Sequence, residues 1–567
     1  MSDALPVLFS LGVAFWLLCI GFLVHLIWIG PRSNPLRKLP GPPSSKLFDN
    51  THMNMTIDPV HSPRSHERFV KEYGRNVHIR GPLPWDDRLL TLDPVSITHV
   101  MKNNAIYEKP WQARSLITSL IGCGMLAAEG PVHRRQRRVA TPAFSIQNLR
   151  ALEPLVFSKG IALKEKWLST LNATEDPSRG AKLDVCDWIS RATFDVIGFA
   201  GFDYQFNAIE NGDNELLRAY KDMFEIGISQ QSGGWRSAFI VYVPYHDYLF
   251  PDQATRTIQR CREVIERVAG QLIQEKKRKI AEAEKKGSTY EGRDLLTLLL
   301  KSNQAVDLPP SQRISDEDIL NNINTFMFAG SDTTSLSITW TLVLLAMHPD
   351  IQTKLRSECR AILPSTPLSD LTQEEIERLY TIVADLPYLD KIARESLRLI
   401  PPLHSSIRVA TKDDVIPTSS PLKRKMPDGS IKEVWELVTV PKGSFVHVAV
   451  EAFNMDKEIW GDNAWSFVPD RWDNLPDAVS TLPGIYSNLM TFSAGPRSCI
   501  GMRFSIIEMK SFLFILLSNF VFAPTEDKIG KANVVLTRPY VVGKHKEGSQ
   551  CPLLVTPYVP EGTSASS

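Results

Sequence analysis

Several kinds of residue and motif are scarce in this chain, and each absence removes a class of protein. Seven cysteines are scattered over 567 residues, with no Cys-x-x-Cys among them. That usage excludes a disulfide framework, argues against a zinc site, and fits a reducing compartment. In that setting the sequons at Asn54 and Asn172 are expected to go unused. Charge of one sign is not in excess: the formal net charge is +1, so no long-range field draws nucleic acid or a strongly acidic partner. No Gly-x-Gly-x-x-Gly occurs, which leaves no dinucleotide fingerprint. Residues 4–30 contain no Asp, Glu, Lys or Arg.

That uncharged stretch is long enough, over 7–29, to cross a bilayer as a helix. A cleaved leader would have a basic start, a shorter apolar run and a small-residue cleavage site. Here Asp3 precedes the run, and Arg32, Arg37 and Lys38 follow it. The positive-inside rule then places the N-terminus in the lumen and the remainder in the cytosol. Next comes Leu39-Pro-Gly-Pro-Pro43, whose prolines stop the helix and stiffen the junction. The expected organisation is an anchor over 1–30, a basic and proline-rich hinge over 31–43, one globular body over 44–560, and a disordered Ser/Thr-rich tail over 561–567.

The body is rich enough in apolar residues, at 43% of the whole chain, to build a large core. Short apolar alternations near residues 77–80 and 89–92 predict a small sheet within 60–100. Helical periodicity predicts helices over 152–171, 185–201, 214–228, 254–286, 315–347 and 351–363. Strands are predicted at 407–410, at 435–440 and within 520–558, with an Asp428-Gly429 turn in a hairpin.

The most specific stretch is Phe492-Ser-Ala-Gly-Pro-Arg-Ser-Cys-Ile-Gly501, followed directly by an apolar run to residue 522. Glycines on both sides of Cys499 let a flat, bulky group approach the backbone. A thiolate at a helix start is favoured by the dipole and the free N–H groups. Arg497 can pair with a carboxylate of a bound group. A lone cysteine is more often a small buried residue, but the pattern of Phe492, Gly495, Arg497, Cys499 and Gly501 resembles, without departure, the haem-binding signature F-x-x-G-x-R-x-C-x-G of the cytochrome P-450 family.

Three further stretches fit the same family. Gly130-Pro-Val-His-Arg-Arg-Gln-Arg137 puts His133 and Arg137 four apart, on one helix face. It resembles the W-x-x-x-R helix whose arginine binds a haem propionate, with His133 in place of the tryptophan. Ala329-Gly-Ser-Asp-Thr-Thr334 lies within an apolar helix opened by a Ser315/Asp318 capping box. As an isolated pair, Asp332 and Thr333 would suggest hydroxyl back-bonding to the helix. The stretch resembles the family's oxygen-binding groove, in which the acid and the threonine hydroxyl distort the helix and relay protons. Glu395-Ser-Leu-Arg398 resembles the family's E-x-x-R, and Phe467-Val-Pro-Asp-Arg471-Trp resembles F-x-P-E-R-F/W, with Asp470 where glutamate is usual. By that resemblance Glu395, Arg398 and Arg471 form a buried structural network. Arg408, after Pro401-Pro402, stands where the family has another propionate-binding arginine, and residues 403–407 would face substrate. Phe453-Asn-Met-Asp456 departs from the usual His-Arg-Asp.

The resemblance implies a single, mainly α cytochrome P-450-type domain with a small β region behind an N-terminal transmembrane helix. It implies haem b held by Cys499, with His133, Arg137, Arg408 and Arg497 at the propionates and Phe492, Gly495 and Gly501 shaping the cradle. Asp332 and Thr333 would be catalytic. The implied reaction is monooxygenation of an apolar terpenoid, sterol, fatty acid or xenobiotic by O₂. Electrons would come from an NADPH–cytochrome reductase, with cytochrome b5 a further candidate partner. The implied setting is a fungal endoplasmic reticulum membrane and secondary metabolism. Alternatives are a peroxide- or rearrangement-type haem-thiolate enzyme and a non-catalytic membrane haem-binding protein. The aromatic-rich 235–250 segment is expected either to dip into the membrane or to pack on the body.

Overall fold

The computed structural model describes residues 4–43, 62–229 and 253–560, apart from positions 82, 84, 213, 289, 291, 306–307, 534–535 and 545–546. The 235–250 segment, the 561–567 tail and Asn54 lie outside the described residues.

One helix, Asp316–Met347, runs through the middle of the body. Ser315 and Asp318 cap it reciprocally, and Asp316, Glu317 and Asp318 place negative charge at its N-terminal dipole. At 32 residues it is about 48 Å long, and it is buried over most of its length. Helices Val185–Phe202, Pro387–Leu399 and Met502–Asn519 pack against it. Gly330 allows the closest of these approaches: a Cβ there would sit 3.0 Å from Ile197 Cδ1. The helices share one large apolar core that includes Trp167, Phe194, Leu342, Phe512 and Phe514.

The predicted helices appear as Glu153–Asn172, Val185–Phe202, Glu215–Ser229, Gln253–Lys285, Asp316–Met347 and Pro349–Ala361. The 60–100 region does hold strands Asn76–Arg80 and Asp87–Thr91, but helices Ser62–Tyr73 and Pro94–Lys102 flank them. These strands join a five-stranded sheet with Phe445–Val448, Ser406–Ala410 and Tyr107–Glu108. The Asp428-Gly429 hairpin is present as Leu422–Lys425 paired with Ile431–Val434, with Gly429 at φ 83° supplying the turn. Only Val438–Val440 of the 435–440 stretch pairs, with Asp414–Ile416. Trp435 and Leu437 are apolar enough for a strand but, with Glu436 between them, lie outside the strand pairing. The whole is mainly α with a small β region.

Helix Ala4–Val24 continues through a π-helical turn, His25–Ile29. Leu11–Ile29 is long and apolar enough to cross a membrane, and none of it is buried against the described residues. The junction after it is bound to the body. Leu36 and Leu39 are buried with Ile416, Leu422, Val438 and Val440, Arg37 pairs with Asp87 at 2.9 Å, and His78 donates its backbone N–H to Pro40 O. A Cβ on Gly41 would collide with the His78 carbonyl at 1.8 Å, so glycine is needed for this docking.

Candidate active site

The 492–501 loop is folded by its own backbone. Cys499 N–H donates to Phe492 O at 2.9 Å, and Ser498 N–H to Gly495 O at 3.0 Å. Gly495 has φ +69°, and a Cβ there would meet Met101 O at 2.4 Å, so the loop can press on helix Pro94–Lys102 only with glycine in place. Phe492 is buried, edge-on to Tyr486 at 5.5 Å. Gly501 caps helix Met502–Asn519 and faces open space.

Cys499 presents an accessible side chain although it lies deep within the protein. Burial pushes its thiol pKa up, and the Gly501 and Met502 backbone N–H groups and Arg137 oppose that rise. Helix-start stabilisation, expected from the sequence, is therefore present but outweighed by desolvation. A bound cation would reverse the balance by deprotonating the thiol.

The central helix carries Thr333, whose hydroxyl donates to Ala329 O at 2.6 Å. The back-bond forms and the helix runs on through residue 347. Ala329, Gly330 and Thr333 are partly accessible where neighbouring positions are buried, and residues 403–407 are accessible between buried Pro402 and Arg408. Thr334 Oγ1 donates to Ser505 Oγ at 3.1 Å, and Ser505 N–H donates to Gly501 O. The threonine pair is thus tied to the first turn after the cysteine loop. Asp332 points to another neighbour, a buried ion pair with Arg538 of strand Thr537–Val541.

A basin of cations gathers around the same loop. His133 is buried, and its Nδ1 has no hydrogen-bond partner among the described residues. Burial first, and then Lys109, Arg137 and Arg134, hold its pKa down to about 4. Arg137 Nη1 donates to Ser498 O at 2.6 Å. Arg408 is buried and, among the described residues, bonds only neutral oxygens, Ser406 Oγ at 2.7 Å and Ile407 O at 2.9 Å; burial lowers its pKa to about 10. Lys109 is pushed well below its ordinary value by burial and by Arg408, Arg497 and Arg114. Arg497 differs from the expectation of a free propionate ligand. It pairs with Glu129 and donates to Ala128 O at 2.6 Å.

Among the described residues the basin therefore holds more positive charge than Glu129 and Glu108 supply negative, and uncompensated buried charge is unfavourable. With an accessible thiol beside it and a buried imidazole nitrogen left unpaired, the site fits a flat group bearing carboxylates. Lys109, Glu129 and Arg538 escaped sequence reasoning. Lys109 stands in no motif, and the partners Arg497/Glu129 and Asp332/Arg538 are 368 and 206 positions apart.

The third expected group comes together closely. Arg398 forks onto Glu395 at 2.9 and 2.8 Å and donates to Asn454 O and Ala464 O. Arg471 Nε, Val468 N–H and Trp472 Nε1 also donate to Glu395, at 2.9, 3.0 and 3.1 Å. Asn454, in the departing Phe453-Asn-Met-Asp456 stretch, accepts from Met490 N–H and donates to Thr491 Oγ1. The network thereby holds the segment leading into the cysteine loop. Asp470 lies outside it, exposed beside Lys354 and Lys391.

A helix-rich fold that presents an accessible, deeply set cysteine beside a basin of surplus cations, in a loop tied through Ser505 to a threonine-bearing helix, belongs to the class that holds an anionic prosthetic group through sulfur. The chain is a member of the cytochrome P450 family, whose model matches residues 61–542. It is similar to cytochrome P450 monooxygenase 205 of Postia placenta, 36% identical with 98% of this chain and 99% of the relative covered. Cytochrome P450 monooxygenase 128 of the same fungus is also 36% identical, over 95% and 96%. Ganoderic acid synthetase of Ganoderma lucidum is 34% identical, over 93% and 94%. The family is one of monooxygenases that use haem with a cysteine thiolate on iron, O₂, an organic substrate and a redox partner.

Proposed function

We propose that this chain inserts one oxygen atom of O₂ into an apolar substrate, and that the Cys499 thiolate would hold haem b. The observation that carries the reading is the accessible Cys499 side chain in a loop tied, through Ser505, to the helix bearing Thr333. Haem, when bound, supplies the oxygen chemistry.

The remaining work falls to the chain's own groups. Arg408, Arg137, Lys109 and the His133 ring neutralise and orient the propionates, while Arg497 acts chiefly through Glu129. Gly495 and Gly501 keep the cradle open, and Phe492 packs beside the sulfur. Thr333 would hold a proton on Oγ1 at the partly accessible face of the helix, and Asp332, next to it, would pass on a proton taken up from solvent. Arg538 pairs with Asp332, so that exchange requires the pair to part. Glu395, Arg398 and Arg471 fix the scaffold.

Residues 403–407 and the accessible stripe 328–330 suit a terpenoid, sterol, fatty acid or xenobiotic, and a relative named for making ganoderic acid favours secondary metabolism. In this reading residues 1–30 anchor the chain in the endoplasmic reticulum, 31–43 join it to the 44–560 catalytic body in the cytosol, and an NADPH–cytochrome reductase, with or without cytochrome b5, delivers electrons.

The test is Thr333→Ala assayed with reductase and candidate lipids. NADPH use should continue while product falls and hydrogen peroxide rises. A rearranging enzyme would be indifferent to the change, and a non-catalytic haem protein would consume no NADPH in either form.

A further inference from the structure

The Asp332–Arg538 ion pair is built differently from the network that holds the scaffold. Arg398 grips Glu395 with two parallel bonds and turns its other N–H groups to backbone carbonyls. Arg538 reaches Asp332 through Nη2 alone. Its Nε is buried without a hydrogen-bond partner among the described residues, and its Nη1 meets only Ser549 Oγ, at 3.5 Å. A single-pronged pair lacks the geometric hold of a fork. Both side chains are largely buried, 9% exposed for Asp332 and 13% for Arg538. Such a pair holds Asp332 and can still be parted.

The elements behind the two partners show what would part them. Arg538 lies on strand Thr537–Val541, and the residue before it is held at three points. Thr537 N–H donates to Pro402 O and its hydroxyl to Pro401 O, both at 2.8 Å. Trp340 Nε1 donates to Thr537 O, also at 2.8 Å. Trp340 and Asp332 share the central helix, eight residues and so about 12 Å apart. The strand therefore bridges the central helix and Pro401-Pro402, with the Trp340 bond as a pivot and the ion pair as a latch. Pro402 runs directly into residues 403–407, and the accessible stripe 328–330 lies one helical turn before Asp332. In the reading given above, substrate sits against both. A bulky molecule there is a wedge between the helix that carries Asp332 and the segment to which the Arg538 strand is tied.

We infer that occupancy of the pocket opens the Arg538–Asp332 pair, so that Arg538 is a positioning residue that withholds Asp332 from proton transfer until substrate is in place. The inference rests on the monooxygenase reading and adds to it the event that frees the acid. Its consequence follows from linkage. The free energy an occupant uses to part the pair is subtracted from its affinity, so a chain in which the pair is already lost binds the same occupant more tightly.

The experiment uses the haem-loaded full chain and two probes that bind haem through an imidazole nitrogen. Imidazole itself is too small to act as a wedge, whereas clotrimazole carries bulky aryl rings. Dissociation constants are read from the Soret shift in three forms: wild type, the double variant Asp332→Asn with Arg538→Gln, and Arg538→Lys. The double variant removes both charges and orphans neither; Arg538→Lys keeps the pair. The double variant should bind clotrimazole about 5- to 30-fold more tightly than wild type, with imidazole affinity unchanged, and Arg538→Lys should stay near wild type. Unchanged or weaker clotrimazole binding in the double variant overturns the proposal. Equal tightening of both probes also overturns it, since the effect then lies at the haem and not in a wedge. If the double variant does not retain haem, Thr537→Val reads the same linkage, because it cuts the strand from the Pro401 carbonyl and leaves both charges in place. Clotrimazole bound several-fold more tightly by Thr537→Val upholds the proposal, and no change overturns it. A wild type that shifts with neither probe has no open haem site, and the monooxygenase reading then fails with the inference. A wild type that shifts with both, alongside variants that match it, keeps that reading and loses the latch.

Discussion

Glu395 and Arg408 are both buried and both charged, and they differ in what surrounds them. Glu395 accepts five N–H groups, two of the donors being arginines that are themselves bonded to backbone carbonyls. Arg408 meets two neutral oxygens and the repulsion of Lys109. Closed buried networks specify a scaffold, because each group there is satisfied by the fold. An open one is a site prepared for something the chain does not itself contain. The contrast separates two sets of arginines that a list of motifs would treat alike.

The sharpest way to break the comparison is to remove a charge from each region. Glu395→Ala leaves Arg398 and Arg471 buried without their anion, and loss of one partner of such a network costs about 3–5 kcal/mol. Urea unfolding should show that loss, or the variant should fail to accumulate as soluble protein. Arg408→Gln should act in the opposite sense on the haem-free chain, leaving its unfolding free energy unchanged or raised, because an unpaired buried cation has gone. Haem retention in the same variant, measured by transfer to apomyoglobin, should fall about 10- to 100-fold, the equivalent of one charge-assisted hydrogen bond. If Arg408→Gln destabilises the haem-free chain as much as Glu395→Ala does, the basin is structural and the contrast fails.

A smaller effect sharpens the same point through pH. His133 is held to about 4 by burial and by Lys109, Arg137 and Arg134. The unfolded chain takes up this proton near pH 6.5, whereas the folded haem-free chain refuses it until about pH 4. The unfolded state binds more protons across that window, so this group's contribution to stability is complete above pH 6.5 and lost as pH falls toward 4. His133→Gln should flatten that part of the stability profile. Haem should flatten it too in the wild type, since a propionate nearby favours the protonated ring.

What the sequence made legible was local. The Ser315/Asp318 capping box, the periodic helices and the Asp428-Gly429 hairpin depend on neighbours within a few residues, and they appear where the pattern places them. The cysteine loop was legible in part because Gly495 is dictated by a contact with Met101 that leaves no room for a Cβ. The pairing of charges was not. Arg497 could be recognised as a cation for an anion, but that Glu129 already engages it depends on two distant segments meeting. The same holds for Arg538 on Asp332. Trp435 shows the reverse error: its type suggested a strand, and Val438–Val440, not it, found the partner.

The most direct test of the account is the carbon monoxide difference spectrum of the reduced, purified protein, recorded beside Cys499→Ala at equal haem content. The account predicts a strongly red-shifted Soret band in the wild type that is absent from the variant, with far-ultraviolet circular dichroism unchanged between them. Haem bound in freshly prepared wild type without that band, or a band that survives in Cys499→Ala, would contradict it.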